Sequence, residues 1–172
     1  MSTREVLIDA FERVQKAVDR AAKGLDQEGL AFRPEDEANP IGWLVWHLTR
    51  VQDDHISEIA GREQAWTEEG WNKRFGMEAE ASDTGFGHTP DQVAAFRPGS
   101  HELLLGYHDA VLSRTRDYLE KLDDQELERI IDRSYDPPVT VAVRLVSVIA
   151  DDLQHAGQAA YVRGILNRSG SL

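Results

Sequence analysis

Hydrophobic residues recur at intervals of three and four along four stretches of the chain, a spacing that places them on one face of an amphipathic helix. These stretches cover residues 4–22, 40–60, 89–119 and 140–166. Asn39-Pro40 and Thr89-Pro90, which are typical helix starts, introduce the second and the third. Pro98 lies inside the third stretch, where it would kink or break a helix. The pattern therefore predicts four long helices.

The region after the third predicted helix is less regular. Residues 123–131 predict a short helix, and the Tyr-Asp-Pro-Pro sequence of residues 135–138 marks a turn. Residues 139–149 are rich in β-branched side chains and are also compatible with a strand. A strand of that length needs partners that the remaining chain does not supply. We interpret this segment as the start of the fourth helix and expect no sheet.

The predicted helices fit one domain. The chain has 172 residues and no internal repeat, and single domains commonly contain about 100–200 residues. We expect residues 1–172 to form one all-α domain, an antiparallel four-helix bundle. In such a bundle, side chains on facing helices assemble the sites in the core.

A long segment between the second and third helices lacks periodicity. Residues 61–90 combine glycines, acidic residues and isolated aromatic residues. A loop of this length inside a compact domain is usually functional or mobile. We expect its aromatic side chains either to cap a pocket for a partly apolar substrate or, as the favoured alternative, to form a satellite hydrophobic cluster. The four residues are Trp66, Trp71, Phe75 and Phe86.

Composition excludes several classes of function. The chain has 19 Lys and Arg against 31 Asp and Glu, a formal net charge of −12 that repels nucleic acids and anionic membrane surfaces. No segment has the roughly 20 apolar residues of a membrane span or the apolar run of a signal peptide. We therefore expect a cytoplasmic protein that binds neither nucleic acid nor membrane. Cysteine is absent, so a transition metal would need histidine and carboxylate ligands.

The strongest local signal for such a metal lies in the fourth predicted helix. Asp151 and His155 are four residues apart and project from the same face, a spacing suited to chelation. Arg144 and Gln158 lie near the same stripe, which gives this apolar helix one polar side. The alternative is a solvated carboxylate–imidazole pair on the surface.

His47 is the second candidate ligand because it lies among large apolar residues near the start of the second helix. The alternative is a core histidine that is hydrogen-bonded to an oxygen atom. A bundle can bring His47 face to face with Asp151 and His155, which together offer two imidazoles and one carboxylate. Three protein ligands leave a coordination position open, as in catalytic zinc sites. His55 is expected to lie behind the metal ligands or on the surface. His101 and His108 are seven residues apart, a spacing that places them on one face of the third helix without indicating a role.

Two sequence segments carry a resemblance to a known family. GWLVWHL at residues 42–48 and DDLQHAGQ at residues 151–158 resemble the two motifs of the DinB-like four-helix-bundle metalloproteins. The resemblance covers nearly the whole chain. Many members have three histidine ligands, whereas this chain has Asp151 at the middle position. A carboxylate there is similar to the thiol-transferase branch, which includes mycothiol-dependent maleylpyruvate isomerase and the mycothiol S-transferases of actinobacteria.

The resemblance implies a zinc-dependent transferase that activates a low-molecular-weight thiol, mycothiol above all, and joins it to an electrophile in detoxification. It implies zinc ligation by His47, Asp151 and His155, with the substrate thiol held as thiolate. Asp152 or a zinc-bound hydroxide is the expected proton acceptor, and the alternative for Asp152 is a solvated surface acid. Residues expected to contact the thiol or the electrophile are Arg144, Gln158, Arg50, Trp66 and Trp71.

Two other functions stay open at this point. An open zinc site can also activate water, which would make the protein a metal-dependent hydrolase. The polar stripe is also compatible with a non-catalytic metal-binding protein that acts in interactions or stress. The expected partners are a small thiol and an electrophile, and a homodimer is one of the expected assemblies.

Overall fold

The computed structural model describes residues 2–170 and confirms the predicted all-α fold, with one small addition of strand. Four long helices form a bundle, and five short helices and a two-stranded hairpin occupy the connections between them. The elements in chain order are α1 (Thr3–Ala22), α2 (Gln27–Ala31), α3 (Ile41–Ala60), α4 (Ala65–Glu68), α5 (Trp71–Arg74), α6 (Pro90–Ala95), α7 (His101–Leu119), α8 (Asp124–Leu127), β1 (Ile130–Asp132), β2 (Val139–Thr140) and α9 (Val141–Arg168).

The helix order differs from the expected alternation of directions. Helices α1 and α3 each pack against α7 and α9. The hydrogen bonds Thr49–His108, at 3.1 Å, and Gln52–Thr115, at 2.7 Å, follow the same order along α3 and α7, so these two helices run parallel. The connection of residues 61–100 makes this possible, because it returns the chain to the end of the bundle where α3 begins. The bundle is therefore antiparallel only in part.

The predicted third helix is divided in two. Thr89 caps α6 with a reciprocal hydrogen-bonded box, and Ser100 caps α7 separately. Pro98 lies in the gap between these helices, where its ring disfavours helical backbone in the residue before it. Gly99 follows with a φ angle of +81°, a left-handed conformation that also ends a helix. Pro98 therefore breaks the helix and does not merely kink it.

The expectation of no sheet is wrong at one place. The predicted helix at residues 123–131 is restricted to α8, and β1 pairs antiparallel with β2 across the predicted turn at residues 135–138. Ile131 of this hairpin packs against a core cluster, so its burial stabilises a strand where local periodicity suggested a helix. The β-branched run from residue 139 is strand for two residues and then helix, with Thr140 as the N-cap of α9.

The aromatic residues of the long connection are mostly part of the main core. Trp66, Trp71 and Phe75 pack with residues of α3 and α7 in one hydrophobic cluster, whereas Phe86 is 91% exposed. The favoured alternative of a hydrophobic cluster therefore holds for three of the four, and that cluster is continuous with the main core. Among residues 2–170, no helix combines the length and hydrophobicity needed to cross a membrane.

Candidate metal centre

Three side chains from two packed helices meet in one polar site. His47 comes from α3, and Asp151 and His155 come from α9, which runs antiparallel beside it. One potential ligand atom from each residue lies within 4.8 Å of the other two. We call these three residues the triad. The juxtaposition predicted from the sequence is confirmed.

Hydrogen bonds orient both imidazole rings in the same way. His47 Nδ1 lies 2.5 Å from the backbone oxygen of Thr84, and His155 Nδ1 lies 2.8 Å from Oε1 of Gln158. Because each acceptor is an oxygen, Nδ1 of each ring is the donor and Nε2 keeps its lone pair. Metal-ligating histidines are typically held in this way by an outer acceptor. Gln158, expected to contact substrate, thus also orients a candidate ligand.

The protonation of the triad follows from burial and mutual contact. Burial lowers the pKa of His47, which favours the neutral ring that binds metals. His155 Nε2 lies 3.5 Å from Oδ1 of Asp151, and this contact raises the pKa of His155. Partial burial alone would raise the pKa of Asp151. The same contact with His155 and the other nearby histidines outweigh this effect and lower the pKa. Metal binding at Nε2 of His155 would therefore compete with protonation of this ring.

The triad fits a divalent metal ion. Oδ2 of Asp151 is buried and has no hydrogen-bond partner, so an acceptor atom in the site is left unsatisfied. Zinc binds such nitrogen and oxygen atoms at about 2.0–2.2 Å, which places tetrahedral ligands about 3.4 Å apart. The triad atoms, within 4.8 Å of one another, are slightly more widely spaced. Small side-chain rotations would bring them to that spacing.

A glycine in the long connection allows the backbone to cover His47. Gly85 has a φ angle of +87°, and a Cβ atom on it would lie 2.8 Å from Trp46, 3.0 Å from Trp43 and 3.2 Å from His47 Nδ1. No other residue type fits there without displacement of these rings. Thr84 and Gly85 were missed by sequence reasoning, and the only available signal was the glycine-rich run at residues 85–87.

Arg50 anchors the same loop from inside the protein, contrary to its expected role in substrate binding. Its side chain is fully buried and donates hydrogen bonds to the backbone oxygens of Ala81 and Asp83, to Gln64 and to the hydroxyl of Tyr107. These contacts occupy all three guanidinium nitrogens. Arg50 therefore holds the loop that carries Thr84, and it does not face an open cleft.

Trp66 and Trp71 do not reach a substrate site either. Both side chains are buried in the main core, where each packs against the ring of Tyr107. The reason is the return of the connection along the bundle, which covers α3 and α7 with these aromatic residues. They stabilise the connection and are not a lid.

Asp152 differs most from its expected role. Its side chain is fully buried on the core face of α9, about 100° around the helix from Asp151. Neither carboxyl oxygen has a hydrogen-bond partner, and burial raises the pKa of Asp152 well above its ordinary value. A carboxyl group enclosed in the core, on a different face of α9 from the triad, is not placed to accept a proton from a substrate at the triad, so the expected role of Asp152 as the base is wrong.

Arg144 lies two helical turns before Asp151 and contacts His55, which was expected behind the metal ligands or on the surface. Its NH1 atom lies 3.1 Å from Nδ1 of His55, which also lies 3.7 Å from Asp54. Burial and the charge of Arg144 lower the pKa of His55. Arg144 and His55 therefore extend the polar side of α9 beyond the triad, and Arg144 remains a candidate substrate contact.

A cleft of about 360 Å³ lies between the segment of residues 34–39 and α9, close to the triad. Leu44, one turn before His47, and Gln158 line it beside Tyr161, Val162 and Ile165. Glu35 and Glu37 are at its rim, and no lysine or arginine lines it. A larger groove of about 700 Å³ runs along residues 118–129 at the opposite end of the bundle, without contact to the triad residues. No triad residue lines either space, but the smaller cleft is lined by Gln158, which contacts His155, so we take this cleft as the candidate substrate cleft.

Comparison with known proteins identifies the family of this chain and agrees with its fold. Residues 10–159 match the model of the DinB superfamily, and the chain therefore belongs to that superfamily. It is also similar to a conserved protein from Enterococcus faecalis with a known crystal structure, with 28% identity and a TM-score of 0.87. That similarity covers 95% of this chain and 96% of the other. No curated protein matches the sequence.

Proposed function

We propose that this member of the DinB superfamily is a zinc-dependent transferase that joins a low-molecular-weight thiol, mycothiol, to an electrophilic substrate. The observation that carries the proposal is the triad of two imidazoles and one carboxylate, with Nδ1 of each ring held by an oxygen atom and one carboxylate oxygen unsatisfied. When bound, a divalent metal ion supplies an open position at which the pKa of a thiol is lowered.

The chain's own residues supply the geometry around that position. The loop at Thr84 and the ring of Trp43, stacked on His47 at 4.7 Å, hold His47 and shield one side of it from solvent. Gln158 holds His155 and borders the cleft, so it lies where metal ligation and substrate binding meet. With Asp152 buried in the core, proton acceptance falls to solvent.

The charge of the cleft supports a thiol without carboxylate groups. Glu35 and Glu37 at the rim and the net charge of −12 repel an anionic co-substrate such as glutathione. The apolar floor of Leu44, Val162 and Ile165 accepts the less polar part of a ligand. An uncharged sugar-containing thiol meets both conditions, which is why we favour mycothiol.

The test combines a metal assay with turnover. Zinc-loaded protein is offered an aromatic electrophile with mycothiol, glutathione, bacillithiol or no thiol, in parallel. We expect one zinc per chain and fastest turnover with mycothiol. His155→Ala should lose both the zinc and the turnover, whereas His101→Ala, on a histidine remote from the triad, should keep them. Zinc without thiol turnover would contradict the proposal, and product formation only with water would indicate a hydrolase.

A further inference from the structure

The long connection places a third histidine, His88, next to the triad. Its side chain is only 16% exposed. Its ring lies against two tryptophans of α3, with ring centroids 6.1 Å from that of Trp43 and 5.9 Å from that of Trp46. Trp43 in turn stacks on the candidate ligand His47, with the ring centroids 4.7 Å apart. A single aromatic ring therefore separates His88 from a candidate metal ligand.

Both ring nitrogens of His88 have partners. Nδ1 lies 3.3 Å from Nε1 of Trp43, and Nε2 lies 2.9 Å from Oδ1 of Asp83. Because an indole nitrogen can only donate, Nδ1 of His88 is the acceptor, and Nε2 carries the hydrogen and donates to the carboxylate. His88 therefore joins Trp43 of α3 to Asp83 of the connection, and neither nitrogen is left to bind a metal ion.

The carboxylate of Asp83 determines where the carbonyl of Thr84 points. Oδ1 of Asp83 also accepts a hydrogen bond from the backbone N–H of Gly85, at 3.1 Å, in a local turn of the kind that aspartate forms. The N–H of Gly85 and the carbonyl of Thr84 belong to one trans peptide group, so they point in opposite directions. The carbonyl is thereby directed at Nδ1 of His47, which lies 2.5 Å from it.

We propose that His88 is a positioning residue for the metal centre. Its hydrogen bond with Trp43 fixes the ring that stacks on His47, and its hydrogen bond with Asp83 supports the peptide that orients Nδ1 of His47. The inference rests on metal binding at the triad, which is part of the proposed function. Loss of His88 removes no ligand, but it leaves His47 less firmly held with Nε2 toward the site.

The first experiment measures zinc affinity by competition with a chromophoric chelator. His88→Phe keeps a ring beside Trp46 but removes both hydrogen bonds. It should weaken zinc binding about ten-fold, at the lower end of the range for outer partners of metal ligands. His88→Gln, whose amide offers one acceptor and one donor, should restore the affinity to within about three-fold of wild type. Equal zinc affinities of His88→Phe and wild type would overturn the proposal.

Leu122→Ala is the matched control for general destabilisation. Leu122 is 8% exposed in a core cluster and lines the groove at the end of the bundle opposite the triad. Its truncation should lower the urea midpoint of unfolding, because it leaves a cavity, and should leave zinc affinity unchanged. A loss of zinc affinity in Leu122→Ala as large as that in His88→Phe would assign the effect to stability and overturn the positioning role.

The second experiment uses metal-free protein, so its outcome does not depend on the proposed function. Nitrogen-15 NMR at about pH 8, above the ordinary pKa of histidine, shows which ring nitrogen of a neutral histidine carries hydrogen. His47 should carry it on Nδ1 in wild type and in His88→Gln, whereas His88→Phe should show both tautomers. A single Nδ1–H tautomer in His88→Phe would overturn the proposal. Failure of wild type to bind zinc would instead overturn the proposed function, and the tautomer of His47 would still decide the role of His88.

Discussion

The two histidines of the triad present the same nitrogen atom because each has an oxygen acceptor on the opposite side of its ring. For His47 the acceptor is a backbone carbonyl, which no substitution of Thr84 removes. For His155 the acceptor is a side chain, Gln158, three residues later on the same helix. The orientation of His155 can therefore be tested by mutation.

Gln158→Leu should weaken zinc binding by about 10- to 100-fold, the usual effect of loss of an outer partner of a metal ligand. The substitution removes the acceptor for Nδ1 of His155 but no metal ligand. Gln158→Glu, which retains an acceptor, should bind zinc at least as well as wild type. Competition with a chromophoric chelator measures the affinities. An affinity of Gln158→Leu within three-fold of wild type would show that the hydrogen bond does not matter.

His108 is a buried histidine whose role is structural. Its Nδ1 lies 3.1 Å from the Thr49 hydroxyl oxygen, which itself donates to Val45, so Nδ1 is the donor. Nε2 is buried without a partner. Protonation would place an unpaired charge there, and burial lowers the pKa of His108 to about 4. The seven-residue spacing to His101 did not reveal that His108 is buried. The ring of His108 lies in the core, whereas His101 Nδ1 contacts the backbone oxygen of Leu25.

The pKa of His108 predicts how stability depends on pH. Because the unfolded chain binds a proton near the ordinary pKa of 6.5 and the folded chain only near 4, the unfolded state holds more protons between these values. The free energy of unfolding should therefore fall as pH decreases from 6.5 to 4, by at most about 3 kcal/mol from this residue. Urea titrations of wild type and His108→Gln across this range should show a smaller loss in the variant. Parallel pH profiles would contradict the assignment.

At the scale of elements, the long connection is fixed to the bundle through one buried carboxylate. Asp53 of α3 accepts hydrogen bonds from the backbone N–H groups of Ala65 and Trp66, at 2.9 and 2.8 Å, and from the Tyr107 hydroxyl. It also lies 3.7 Å from the buried guanidinium of Arg50. One side chain thus starts α4 and neutralises the cation that holds the loop over His47.

Asp53→Ala should reduce the free energy of unfolding by about 3–5 kcal/mol, because it leaves a buried cation without its partner. Glu58→Gln, on an exposed residue of the same helix, is the matched control and should change it by less than about 0.5 kcal/mol. Denaturant titration followed by tryptophan fluorescence measures both. A loss below 1 kcal/mol for Asp53→Ala would mean that the connection is held mainly by its aromatic residues.

The elements also show what the sequence can predict. The bounds of α1, α3 and α9 follow from hydrophobic periodicity and lie within two residues of the predicted ones. The short helices and the hairpin depend on contacts with distant residues, such as Asp53 with Ala65, so local periodicity does not reveal them. The triad was predictable because two of its members share one helical face, whereas Thr84 reaches His47 from 37 residues away.

Periodicity also places polar residues on a face without showing whether that face is buried, which explains the errors at Arg50 and Asp152.

At the scale of the whole molecule, a metal ion at the triad would join α3 to α9, two helices that each contribute several buried residues to the core. Binding to the folded state alone stabilises it by mass action, by about 2.7 kcal/mol when free metal is 100 times the dissociation constant. For a chain of this size each kcal/mol raises the melting temperature by about 2–4 °C, so zinc should raise it by about 5–11 °C. Magnesium, which prefers six oxygen ligands, should have little effect.

Calorimetry on chelator-treated protein measures the rise in melting temperature caused by zinc. His155→Ala should lose this rise, while His101→Ala should keep it. An equal zinc-dependent shift in His155→Ala would place the bound zinc outside the triad, because the imidazole of His155 is one of the three side-chain ligands that residues 2–170 bring together there.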